Sequence, residues 1–174
     1  MMQITNSTPE DIDQLFELYD AATAYQKKVG NNHWKGFDRA LVLAETVANR
    51  QWKIMIDGEI AGVFLITFND PLIWLEKDND QAIYIHRIAT NPVYRGHHLV
   101  KHIVQWAATY ARQLEKQFVR LDTGSGNEKL NSYYISCGFS YLGIVKLRET
   151  GNLPAHYKDG SFSLFEIDLQ THDL

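Results

Sequence analysis

Ile88-Ala89-Thr90-Asn91-Pro92-Val93-Tyr94-Arg95-Gly96-His97-His98-Leu99 passes from a strand through a turn into a helix. The strand is the apolar run that begins at Ala82, and Asn91-Pro92 halts it, because proline has no amide to give a sheet ladder. From Leu99 onward, Leu99, Ile103, Ala107, Tyr110 and Leu114 recur on one stripe, which predicts a long amphipathic helix. The N-terminus of such a helix presents unpaired amides and the positive end of its dipole, a setting that suits a phosphate group. Arg95 adds a fixed charge, and Gly96 lets the backbone approach a ligand closely. The same residues also make an ordinary strand-to-helix turn with an exposed arginine.

Working outward, a second strand-to-helix passage follows. Phe118-Val119-Arg120-Leu121 reads as a short strand closed by Gly124-Ser125-Gly126, and a helix runs from about Glu128 to Cys137 with Asn127 at its start. Tyr133 and Tyr134 lie about 100° apart around that helix, so one packs inward while the other points elsewhere. Phe139 to Leu147 and Phe162 to Leu169 are the last strands. Upstream, Met2 to Asn6 is a first strand, and Thr8-Pro9-Glu10-Asp11 has the grammar of a helix start. Ile12, Leu15, Phe16 and Tyr19 continue that helix as far as Gly30-Asn31-Asn32. A second helix is expected from Asp38 through Leu41, Leu43, Ala44 and Val47. Trp52 to Ile56, the turn Asp57-Gly58 and Ile60 to Phe68 form a hairpin. Pro71 to Asn79 is expected to be a loop. The order β-α-α-β-β-β-α-β-α-β-β implies an α/β fold, a mixed sheet with helices packed on it.

The 174 residues carry no repeat and no linker-like tract, so the chain reads as one domain over residues 1–174. A net charge of -4 argues against a nucleic-acid binder, whose affinity comes from neutralising phosphates. Apolar runs such as Ala61-Gly62-Val63-Phe64-Leu65-Ile66 fall far short of the roughly 20 residues that span a bilayer. The start of the chain lacks the pattern of a secretory signal. Cys137 is the lone cysteine, which excludes an intramolecular disulfide and favours a cytoplasmic location. His98 and His102 sit one helical turn apart, but Leu99 stands where a zinc-protease motif needs glutamate and no third ligand appears; no metal is expected. Gly124-Ser125-Gly126-Asn127-Glu128-Lys129 lacks the Gly-Lys-Ser/Thr ending of a phosphate loop.

The two passages together resemble the GNAT (Gcn5-related N-acetyltransferase) family. The resemblance rests on Ile88-Ala89-Thr90-Asn91-Pro92, Tyr94-Arg95-Gly96, and Asn127 with Tyr134 seven residues on and Gly138-Phe139 after it. It implies a mixed, mostly antiparallel central sheet flanked by helices, and transfer of acetyl from acetyl-CoA to an amine. By that likeness the backbone of Ile88, Ala89 and Thr90 would hold the pantetheine arm. The amides of Arg95, Gly96, His97, His98, Leu99 and Val100 would hold the pyrophosphate. Asn127 would hydrogen-bond the arm, and Tyr134 would protonate the leaving thiolate. Each role is chemically apt, since a diphosphate needs convergent amide donors and a positioned acid is worth about 10²–10⁴ in rate.

This sequence departs from the family pattern in two places. His98 and Val100 replace the later small residues of the turn, and the family's frequent glutamate base falls at Ala82. His86, whose unperturbed pKa lies near neutrality, is then the candidate base, with a water chain to Glu76 or Asp80 as the other route. The resemblance further implies a small-molecule amine (or a peptide) as acceptor, and a monomer or homodimer. Tyr25 to Phe37 and Pro71 to Asp80 would line the acceptor side, with a loop from Pro154 to Gly160 beside the same cleft or in a dimer contact. The departures motivate a rival, a CoA-binding sensor that catalyses nothing.

Overall fold

The computed structural model describes residues 1–30, 33–147 and 160–172. These fall into two compact units, Met1–Ile66 with His86–Leu99, and Thr67–Ile85 with Val100–Leu174. The loop expected from Pro154 to Gly160 lies, but for Gly160, outside the described residues, as do Asn31 and Asn32.

In the first unit, β1 (Met2–Asn6) pairs antiparallel with β2 (Gln51–Ile56), and β2 with β3 (Glu59–Thr67). The hairpin turn is the one predicted: Asp57 at φ 49 and Gly58 at φ 85 are both left-handed, which matches the twist of the strands they join. β4 (Ala82–Thr90) lies next to β3, for the amide of Asn91 donates to the carbonyl of Ala61 at 2.8 Å. A Cβ added at Gly62 would sit 3.3 Å from the Ala89 carbonyl, so the two backbones meet where only glycine fits comfortably. α1 (Ile12–Lys28) and α2 (Arg39–Val47) complete the unit. Its core gathers Ile12, Leu15, Leu18, Tyr19, Val42, Val63 and Ala89.

One local expectation needs correction here, and the buried face of α2 is a further finding. Thr8-Pro9 opens a 3-10 turn over Pro9–Asp11 rather than α1 itself, and the Thr8 amide donates to the Asp11 carboxylate at 2.8 Å. On α2, Leu41, Leu43 and Val47 are exposed, whereas Val42, Glu45 and Thr46 face inward. The inward set obeys helical spacing and the aliphatic set does not.

In the second unit, the first half of β4 runs parallel to β5 (Phe118–Gly124), with Ala82 opposite Phe118 and Tyr84 opposite Arg120. β7 (Ser161–Asp168) pairs antiparallel with β5 and with β6 (Ser140–Lys146). Among the described residues the strand order is β1-β2-β3-β4 in the first unit and β4-β5-β7-β6 in the second, with β4 contributing to each. The loop expected from Pro71 to Asn79 is instead α3 (Pro71–Trp74) and a 3-10 turn over Leu75–Lys77. Pro71 at the first helical position and a Trp74 amide bonded to the Asp70 carbonyl at 2.9 Å form this short helix, which buries Ile73 and Trp74. α4 (Leu99–Gln113) buries Leu99, Ile103 and Ala107 as expected, but Leu114 lies beyond its end and is exposed. α5 (Glu128–Ser136) follows β5 directly.

Candidate active site

The turn before α4 belongs to the first unit. The side chain of Asn91 accepts from the Val93 amide at 3.0 Å and opens a 3-10 turn over Pro92–Tyr94. The amides of Arg95 and His97 are spent inside the turn, on the carbonyls of Pro92 and Tyr94 at 3.1 Å each. Among the described residues, the amides of Gly96 and His98 make no such bond, so they and the first turn of α4 are the donors left to a ligand. Gly96 sits at φ 92, and a Cβ built on it would meet nothing within 4 Å. A diphosphate therefore fits this turn: open backbone, free amides and an exposed Arg95, whose guanidinium lies 5.6 Å from the Tyr25 ring. His98 holds φ 55, a left-handed conformation that glycine adopts without strain.

Behind the turn lies the second half of β4. Ala89 is buried in the core, while Ile88 and Thr90 are half-buried. Arg87 stands at φ 50 in mid-strand. Its Nη2 donates to Glu45 Oε1 at 2.5 Å, and its guanidinium carbon lies 4.9 Å from the Phe37 ring and 5.8 Å from that of Tyr19. His86 is half-buried, and its pKa is pushed down to about 4, first by burial and then by the adjacent Arg87 charge. The imidazole is therefore neutral at physiological pH, able to accept a proton but reluctant to keep it.

In the second unit, Asn127 caps α5: its side-chain oxygen accepts from the Leu130 amide at 3.1 Å, which leaves its amide nitrogen as the donor for a ligand. Of the two tyrosines, Tyr134 is the buried one and Tyr133 the exposed one. The Tyr134 ring packs on Phe165 at 5.4 Å and Phe139 at 6.1 Å. Burial raises its pKa, followed by Cys137, Tyr133 and Asp122. Tyr134 thus keeps its proton, the state a general acid needs. Cys137 is buried and its thiol is pushed up by burial, so it holds no reactive thiolate.

One cluster in this unit escaped the sequence reading. Asp70, at the start of α3, and Asp122, on β5, form a hydrogen-bonded carboxyl pair, and Trp74 Nε1 donates to Asp122 Oδ2 at 3.4 Å. Burial and the neighbouring Asp122 charge push Asp70 up to about 8, and burial pushes Asp122 up to about 6. Such a pair holds one proton between its members near neutral pH. Asp80, by contrast, is held in an exposed ion pair with Lys116 at 2.9 Å.

Comparison with known proteins points to one family and one fold. The profile of the Acetyltransferase (GNAT) family matches residues 12–139. The uncharacterized N-acetyltransferase YesJ of Bacillus subtilis (strain 168) is 25% identical over 142 residues, 77% of this chain and 79% of its own. Among solved structures, a GNAT-family acetyltransferase from Listeria monocytogenes 4b F2365 superposes with a TM-score of 0.76 at 22% identity, covering 96% of this chain and 94% of that one. YncA from Salmonella typhimurium, a putative acetyltransferase solved with its cofactor acetyl-CoA, superposes with a TM-score of 0.69 at 15% identity, covering 99% and 96%.

Proposed function

The chain belongs to the acetyltransferase (GNAT) family, acetyl-CoA-dependent enzymes, and from that premise we propose that it acetylates the primary amine of a small molecule or peptide by direct attack in a ternary complex. Acetyl-CoA supplies the activated thioester. The turn from Arg95 to Val100, where Gly96 is open and its amide free, is the observation that carries this reading. Gly96, His98 and the first amides of α4 take the pyrophosphate, with Arg95 adding charge, while the backbone from Ile88 to Thr90 and Asn127 align the arm.

His86, or a chain of water, removes the proton of the incoming ammonium. A main-chain amide of β4 faces the charge that develops on the carbonyl oxygen, and such a donor is typically worth about 10²–10³ in rate. Tyr134 delivers its proton to the sulfur. The buried thiol of Cys137 is consistent with a reducing, cytoplasmic setting. No helix among the described residues is long and apolar enough to cross a membrane. We take residues 1–174 as a single catalytic domain that works as a monomer or homodimer without a metal.

Replacing Tyr134 by Phe tests the mechanism. The ring stays in its aromatic cluster, so folding is expected to persist, and turnover falls about 10²-fold or more. A fall under about threefold, far below what a positioned acid supplies, removes Tyr134 from that role. A second reading, a CoA-binding sensor, is favoured by one observation: Ala82 stands where a glutamate base is frequent. It predicts acetyl-CoA binding with no product from a broad panel of amines.

A further inference from the structure

Arg87 holds a backbone conformation that its residue type disfavours. At φ 50 it lies in the left-handed region, in the middle of the nine-residue strand β4. Three other parts of the first unit hold its side chain. Glu45 of α2 accepts at 2.5 Å, and the rings of Phe37, before α2, and Tyr19, on α1, flank the guanidinium at 4.9 and 5.8 Å. The Arg87 and Glu45 side chains are only 10% and 9% exposed. A desolvated ion pair is a poor source of net stability, and an apolar pair of similar volume would serve a core as well. Strained backbone of this kind persists only where its surroundings over-determine it, and it gathers where direction matters to function. The residues next after the strain are Ile88, Ala89 and Thr90, and Ala89 shares one core cluster with Tyr19.

We infer that the Arg87–Glu45 ion pair is a positioning device for acetyl transfer: it holds the left-handed turn of β4 and so aims the amides from Ile88 onward at the thioester carbonyl. The inference rests on the acetyl-CoA reading above. Arg87 and Glu45 act through the backbone and touch no reacting atom. Chemistry is sensitive to such aim, since a displacement of about 1 Å can cost about 10²-fold in rate.

Infrared difference spectroscopy of acetyl-CoA labelled with ¹³C at the acetyl carbonyl tests this without a known acceptor. Three proteins are compared: wild type, Arg87→Gly and Glu45→Gln. Glycine takes φ 50 and ordinary strand φ about equally readily, so Arg87→Gly removes the lock and frees β4 to leave the turn without adding strain, and it carries the test if Glu45→Gln fails to fold. Adenosine 3′,5′-bisphosphate, which lacks the thioester arm, serves as the binding control. The carbonyl stretch of the wild-type complex is expected below that of free acetyl-CoA, and each folded variant loses most of that shift. The bisphosphate should bind wild type and variants with the same affinity, within about twofold or about 0.4 kcal/mol. A folded variant that keeps the wild-type shift overturns the inference, as does a variant that loses bisphosphate binding along with the shift. A wild type that binds no acetyl-CoA sinks the acetyl-CoA reading, and the inference with it.

Discussion

Among the described residues, each unit encloses an arginine side chain in an ion pair, and the two are built alike. Arg87 pairs with Glu45 and lies over Phe37 and Tyr19. Arg120 pairs with Glu166 at 2.8 Å and lies over Phe118, Trp74 and Tyr84 at 4.6, 4.8 and 5.8 Å. Arg120 also donates to the Lys77 carbonyl at 2.8 Å and to the Tyr84 hydroxyl at 3.0 Å, and Tyr84 in turn donates to Asp78 at 2.8 Å. The chemistry is the same, a guanidinium between a carboxylate and aromatic faces. The backbone differs. Arg120 occupies an ordinary strand position in register with Tyr84 and Glu166, whereas Arg87 is left-handed. In the second unit the cluster joins α3, β4, β5 and β7 on unstrained backbone. In the first unit the same chemistry holds a conformation that costs free energy.

The comparison breaks most sharply on Arg120. Arg120→Met strands the Glu166 carboxylate and removes three hydrogen bonds, so a loss of about 3–5 kcal/mol is expected from urea unfolding. Arg87→Gly should lose less, by roughly 1–2 kcal/mol, because the substitution relieves the left-handed strain while it breaks the pair. Equal losses at the two sites would mean that Arg87 is not strained, and the contrast would collapse.

A smaller effect sharpens the contrast by way of like charges. Burial raises both Asp70 and Asp122, so the folded protein holds protons that the unfolded chain has released. The stability tied to those protons is complete below the ordinary carboxyl value of 3.8 and is lost as pH rises through about 6 and about 8. Asp70→Asn removes the more strongly raised member. Relative to wild type, the variant should gain more than ~1.4 kcal/mol between acid and pH above 8, the equivalent of one pKa unit. A difference that stays flat with pH would show that the pair is not raised.

Much of the frame was legible because its signals are local. Asp57-Gly58 makes the hairpin, Pro92 stops β4, and the stripe from Leu99 through Ile103 to Ala107 makes α4. The misses share one cause, namely partners distant in sequence. The inward place of Glu45 on α2 depends on Arg87, 42 residues on, which neutralises it. Asp70 and Asp122 lie far apart in the chain, and neither stands in a motif. α3 spans four residues, too few for periodicity to register. At the candidate site, the turn, Asn127 and Tyr134 stand out in the sequence as residue types at a spacing, and their roles are part of the proposal. The depression of the His86 pKa was not, because it depends on burial that no neighbouring residue announces.

The central claim is N-acetyl transfer, and its most direct measurement follows CoA thiol release and acetylated product together, by thiol titration and mass spectrometry, over a panel of primary amines. The account predicts an N-acetylated amine formed one for one with free CoA, and that activity lost in Tyr134→Phe. Tight acetyl-CoA binding with no N-acetyl product from any amine would contradict it and leave the sensor reading in its place.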